Sequence, residues 1–254
     1  MKYKSLLFLI VLLFNCKKDV AKTEAKPLFA NEIIDKSIVV SGGEKFNNAL
    51  IEFNFRDKYY VAKRTSGKYL LERIFKDSTS VVKDVLNNIG FTRFINGEAS
   101  EVIKEKAETY TASVNSVHYF SVLPYGLNDK AVNKELIGEE LINNQDYFKI
   151  KVTFDQNGGG EDYDDIFIYW INKDSFRPDY LAYSYHEEDG KGMRFREAYN
   201  ERYINGLRFV DYNNYKSENL KVKLEDLAKA LDDNQLKLLS KIELENIEVQ
   251  LIDL

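Results

Sequence analysis

Apolar and polar positions alternate with a period of two through most of the chain, most clearly between residues 164 and 215. Ile166 to Ile171 is a continuous apolar run that stops at Asn172-Lys173-Asp174, a turn cluster. Tyr180 to His186 sets Tyr180, Ala182, Ser184 and His186 against Leu181, Tyr183 and Tyr185. Met193 to Tyr203 sets Met193, Phe195 and Tyr199 against Arg194, Arg196 and Ala198. Asn205-Gly206 then sits between two strand-like runs, and both central residues of a type I′ hairpin turn need positive φ. Period-2 alternation rich in aromatic and β-branched residues predicts an antiparallel sheet with one face buried and one free to meet something else.

The N-terminal half repeats the pattern. Phe29, Ile33, Ser37 and Val40 recur at helical spacing and Ser41-Gly42-Gly43 stops them, which predicts a short helix over 31–40. Strands are expected over 50–56, 59–65, 68–76, 81–86 and 90–95, with Asn96-Gly97 as a second tight-turn signal. The rhythm breaks at Glu101–Phe120, where Ile103, Ala107, Tyr110, Val114 and Val117 or His118 share one helical stripe behind Ser100 as the expected N-cap. Such a helix, flanked by sheet, must bury its stripe against that sheet. Strands resume over 135–141 and 147–154. A short helix is expected near 225–231, and a last strand through Ile242, Leu244, Ile247, Val249 and Leu251 with a register slip near Asn246. No internal repeat and no Pro/Gly/Ser-rich linker divides 29–254, which reads as one domain.

Two stretches carry a family resemblance. Glu32-Ile33-Ile34 through Gly42-Gly43, followed by Ile51-Glu52-Phe53, is similar to the first helix, glycine turn and first strand of LolA/LolB-type domains. Asp165 to Ile171 with Trp170, then Phe176-Arg177-Pro178 and the strand from Asp179 to Tyr185, is similar to their Trp-bearing strand and turn. The whole chain also resembles uncharacterised Bacteroidota lipoproteins of this length. The resemblance implies a mainly β (α+β) fold, a curved antiparallel half-barrel. About eleven strands are expected in it, with a short N-terminal helix and one long helix packed on the concave face. It implies a fold and a carrier-type, lipid-binding role, and no catalytic motif.

The first residues change the picture of where the protein works. Lys2 and Lys4 precede an unbroken apolar run, Leu6 to Phe14, that is too short for the ~20 residues of a transmembrane helix and reads as an export signal. It ends at Cys16, the only cysteine of the chain. Leu13-Phe14-Asn15-Cys16 resembles a lipoprotein cleavage site, so 1–15 reads as a signal peptide. Cys16 is then the lipidated residue, and 16–28 a polar tether to the envelope, with the outer membrane as the expected address. Phe14 and Asn15 are bulkier than that motif's usual residues. A net charge of −5 argues against nucleic acid as partner, because phosphate binding needs a cationic surface. Abundant Tyr (17) and Phe (16) suit half-buried faces with ring packed and hydroxyl wet.

Candidate chemistry is thin. The loop 155–165 holds five carboxylates and three glycines, and Asp155, Asn157, Glu161, Asp162 and Asp164 are the candidate ligands of a hard cation such as Ca²⁺. Ile166 stands where an EF-type loop needs its bidentate Glu, and a solvated hairpin is the competing reading. Otherwise no cofactor is expected. The two histidines, His118 and His186, lack partners at zinc-ligand spacing. A hydrolase using either with a nearby carboxylate stays open, and packed structural histidines are the plainer reading. Arg194 and Arg196, opposite Met193 and Phe195, could meet a carboxylate- or phosphate-bearing ligand bidentately. The candidate ligand-binding set is Tyr110, Val114, His118, Trp170, Tyr183, Arg194 and Arg196. The first functional expectation is a non-enzymatic module for a lipid or other hydrophobic ligand. The alternatives are a structural or partner-binding surface lipoprotein, whose protein partner the sequence does not name, and the hydrolase.

Overall fold

The computed structural model of the chain describes residues 28–159, 163–187, 190–219 and 221–253, with backbone alone at 186, 187, 190 and 191. A helix, α1 (Ala30–Val40), opens the fold, and the Glu32 side chain accepts the Phe29 N–H at 2.8 Å across its first turn. Six strands follow: β1 (Ala49–Phe55), β2 (Lys58–Thr65), β3 (Lys68–Asp77), β4 (Ser80–Asn87), β5 (Phe91–Ile95) and β6 (Glu98–Ser100). The long helix α2 (Lys104–Ser121) leads to β7 (Val132–Ile142), β8 (Gln145–Phe154), β9 (Ile166–Asn172), β10 (Pro178–Glu187), β11 (Gly190–Ile204) and β12 (Leu207–Ser217). A short α3 (Leu227–Asp232), β13 (Leu236–Ile242) and β14 (Glu245–Leu251) close the chain.

The strands form two seven-stranded antiparallel sheets. The first runs β14-β1-β2-β3-β4-β5-β6 and the second β13-β12-β11-β10-β9-β8-β7. Two links join them: β13 passes directly into β14 at Glu243-Leu244, and α2 connects the far edges, β6 and β7. The result is an open, LolA-like half-barrel, as the resemblance implies, with fourteen strands among the described residues rather than about eleven. The expected single C-terminal strand is two strands in different sheets. The corner between them is held from β11 and β12: Leu244 N–H donates to Asp211 Oδ1 at 3.0 Å, and Arg202 Nη2 donates to the Leu244 carbonyl at 2.7 Å. The slip expected near Asn246 is present as well, as a bulge of β14 against β1.

Both Asn-Gly turns are tight hairpins with positive φ at each central residue: 51° and 90° at Asn96-Gly97, 49° and 81° at Asn205-Gly206. Helix α2 starts three residues later than expected. Ser100 ends β6 instead of capping the helix, and Ile103 is the N-cap residue, 64% exposed.

The core has three parts. Phe53, Tyr60, Ala62 and Leu71 of the first sheet pack on Val114 of α2. Ile150, Val152, Tyr169, Ile171 and Leu181 of the second sheet's inner face pack on Ile33 and Ile34 of α1 and on Leu123 and Leu127 after α2. Successive residues of a strand point to opposite faces. Ile168, Trp170, Tyr180 and Phe195 therefore line the outer face, under Leu227 and Ala228 of α3.

Candidate functional site

Helix α2 lies between the two sheets and presents a different stripe to each. Val114, His118 and Ser121 are buried, and Val114 joins the core of the first sheet. Ala112, Ser116, Tyr119 and Phe120, about half a turn around, face a cavity. Residues three and four apart share a helix face, which is why each set forms a continuous stripe.

Where α2 meets β3–β5 of the first sheet, the packing is tight and the charges around Asp84 are matched. Asp84, fully buried on β4, accepts from Arg73 Nη2 at 2.6 Å and from Arg93 Nε at 2.6 Å. Arg73 Nη1 donates to Ser113 Oγ, which ties the cluster to α2, and Arg93 stacks 3.6 Å from the Tyr110 ring centroid. These arginines, which strand alternation alone would put on a solvated face, lie beneath the helix. His118 Nε2 is 3.0 Å from the Glu72 carbonyl oxygen and acts as the donor, while Phe53 and Tyr60 meet the ring edge-on. Burial pushes the His118 imidazole down to about 3, so it is neutral at physiological pH.

The second-sheet flank is open. A trough of about 1230 Å³ runs beside α2, lined by the inner face of β8–β12 and also by Phe55, Arg64, Tyr69 and Leu71 of the first sheet. Its wall is aromatic: Phe120 lies 5.3 Å from Tyr183 and 6.1 Å from Phe167, and Phe167 stacks on Tyr183 at 5.3 Å. Tyr119 and Tyr169 share a hydrogen bond at 3.3 Å, and burial pushes the Tyr119 phenol up to about 12, so it stays a neutral hydroxyl. Arg196 of β11 stands among these rings with its guanidinium 3.8 Å from the Phe120 centroid, and Nη2 donates to the Tyr183 hydroxyl at 2.9 Å. At the far end are Arg64, over the Tyr125 ring, and Asp129, whose carboxyl burial raises against the pull of Lys134 and Arg64.

The structure brings together part of the expected set. Tyr183 and Arg196 line the trough. Arg194 projects from the same face of β11, where it lies over the ring of Tyr185, itself a trough residue. The other four expected positions are elsewhere. Trp170 is fully buried on the outer face, where its Nε1 donates to Glu140 at 2.7 Å, because the pleat turns it away from Tyr169. Val114 and His118 are sealed in the first-sheet core, and Tyr110 belongs to the Arg93 stack. His118 has Nε2 on a backbone carbonyl and Nδ1 buried with no hydrogen-bond partner among the described residues, so no carboxylate is hydrogen-bonded to it there. The side chain of His186 lies outside the described residues, as does Cys16 with the whole of 1–27.

The acidic loop borders the trough through Gly158, Gly159 and Asp164. Asp155 accepts from Asn133 at 2.7 Å, Asn157 is exposed, and Glu161 and Asp162 lie outside the described residues. Among the described residues no three His, Cys, Asp or Glu side chains gather as metal ligands. Sequence reading missed Tyr119, Phe120 and Tyr212. The signal for the first two was present in residues 112–120 as a second stripe, hidden by the stronger one beside it.

An open shell of two antiparallel sheets wrapped on a helix is a LolA-like half-barrel fold. The chain belongs to a family of unknown function, DUF6503, whose pattern matches residues 2–244. Among solved structures it is similar to a LolA superfamily protein from Nitrosomonas europaea, with a TM-score of 0.50 and 12% identity over 90% of this chain and 96% of that one. It is also matched to a putative outer membrane lipoprotein-sorting protein domain from Vibrio parahaemolyticus (TM-score 0.44, 10% identity, 86% and 91% covered). A search of curated proteins returns no match. At these identities the likeness establishes the fold alone. No helix of the described residues is long and apolar enough to cross a membrane.

Proposed function

We propose that this protein is an envelope lipoprotein, tethered through Cys16, that holds a lipid or another hydrophobic molecule in its trough without covalent chemistry. The observation that carries this reading is the trough itself. It measures about 1230 Å³, and the rings of Phe120, Phe167 and Tyr183 line its second-sheet side. The half-barrel fold supports the reading, and so does the basic-then-apolar segment that ends at the lone cysteine. A flat polar ligand would leave the faces of Phe120, Phe167 and Tyr183 unused, whereas an acyl chain would cover them, at about 25 cal/mol per Å² of apolar surface removed from water.

The test has two readouts. In cells, the full chain should incorporate a palmitate analogue and the Cys16→Ser form should not. The Cys16→Ser chain of residues 16–254, purified without detergent, should then yield close to one equivalent of lipid on extraction into organic solvent. Lipid-free protein that also fails to take up added amphiphile would rule out the binding role.

A further inference from the structure

Among the described residues, the two other arginines with under a tenth of their surface exposed each meet a carboxylate, whereas the more exposed Arg64 pairs with none. Arg73 reaches Asp84 at 2.6 Å, and Arg208 reaches Glu201 at 2.5 Å and Asp179 at 3.6 Å. Arg202, somewhat less buried, reaches Asp211 at 2.9 Å. Arg196 is the exception. It is 8% exposed, and among the described residues it has no ion pair and its buried Nε has no hydrogen-bond partner. What surrounds it is neutral: the rings of Phe120, Tyr183 and Tyr212 at 3.8, 5.0 and 5.9 Å, and the Tyr183 hydroxyl. Rings stabilise a guanidinium through its face, leaving the in-plane N–H donors still to be satisfied. Taking a charge out of water is costly unless it is paired and hydrogen-bonded, so an unmatched cation on a cavity wall is a vacancy for an anion.

We propose that Arg196 is the headgroup anchor of the trough, and that the ligand is an amphiphile with a carboxylate or phosphate at one end. The inference rests on the hydrophobic-binding role above and narrows it to an anionic class. The planar guanidinium fork matches either anion, and the rings fix its plane, so little freedom is lost on binding. The acyl portion then lies along Phe120, Phe167 and Tyr183. Arg64 is the weaker candidate at the far end, because Asp129 acts on it there.

The 16–254 chain with Cys16→Ser keeps every described residue and serves as the parent protein. Its affinity for three twelve-carbon probes is measured by displacement of a fluorescent fatty-acid analogue, below each probe's solubility limit: dodecanoate, dodecyl phosphate and the neutral dodecanol. At least one anionic probe should bind tenfold or more tighter than the alcohol. Arg196→Gln should bring that ratio to within twofold of unity, through a larger loss for the anionic probe than for the alcohol. Arg196→Lys, which keeps charge and loses the fork, should fall between. Which anion gains more from Arg196 tells a fatty acid from a phospholipid source. Equal binding of all three probes by the parent overturns the anchor and leaves the trough reading standing. An equal loss for charged and neutral probes in Arg196→Gln also overturns it, since the arginine would then only shape the wall. Failure of the parent to bind any probe removes both proposals. If Arg196→Gln does not fold, the parent's anion-to-alcohol ratio and the Lys variant still decide.

Discussion

The two flanks of α2 use the same kinds of residue to opposite ends. Toward the first sheet, arginines enter the interior together with Asp84, the Ser113 hydroxyl of the helix accepts from Arg73, and Val114 and His118 fill the remaining space. Toward the second sheet, Arg196 enters with rings alone and the space beside it stays open. A buried charge that is matched belongs to the architecture of a closed interface. One left unmatched, on a wall with room beside it, marks where the fold expects a visitor. The contrast separates a holding face from a working face on a single helix.

The comparison can be broken from its strong side. Asp84→Asn leaves two buried arginines without their shared carboxylate, and losing one partner of a buried ion pair costs ~3–5 kcal/mol. Urea denaturation should show a loss of that size. A change below ~1 kcal/mol would mean that the closed flank is not held by this cluster.

A smaller effect should come from acid. His118 is buried neutral, so its proton affinity is lower folded (about 3) than unfolded (6.5). The unfolded chain therefore takes up the proton first. The contribution is complete above about pH 6.5 and is lost as pH falls toward 3. At one pKa unit per ~1.4 kcal/mol, roughly 2 kcal/mol should be gone by pH 5. Denaturation midpoints between pH 7 and pH 5 measure it, and His118→Phe should flatten the slope. An unchanged slope in that variant would assign the acid sensitivity to other groups.

The smallest effect should lie on the open side. Phe120→Ala removes a ring that already faces a cavity, and should cost ~1 kcal/mol, against ~3–5 kcal/mol for Phe53→Ala in the sealed core. Equal losses at the two positions would erase the distinction between the flanks.

Much of this fold was legible because its local signals are backbone signals. Asn96-Gly97 and Asn205-Gly206 specify turns through φ alone, and alternation over 166–215 specifies which side each residue takes. The β13–β14 corner was not legible. Ile242 and Leu244 continue an apolar alternation across the bend, and what turns the chain there is Arg202 and Asp211, some forty and thirty residues earlier. The site was half legible for a related reason. A single stripe on 101–120 predicts a helix with one buried face, whereas a helix lodged between two sheets has two, and the weaker stripe holds Phe120. Trp170 misled because an aromatic on an all-apolar strand does not reveal its side: β9 is buried on both faces once α3 covers the outer one.

The covalent path from β6 through α2 to β7 has a mechanical consequence. The helix is moored by chain at both ends and by Arg73 and His118 along one side, so it cannot swing out like a gate. On the binding role proposed above, a bulky guest would draw its room from the opposite bank, by rotation of the rings on β9, β10 and β12.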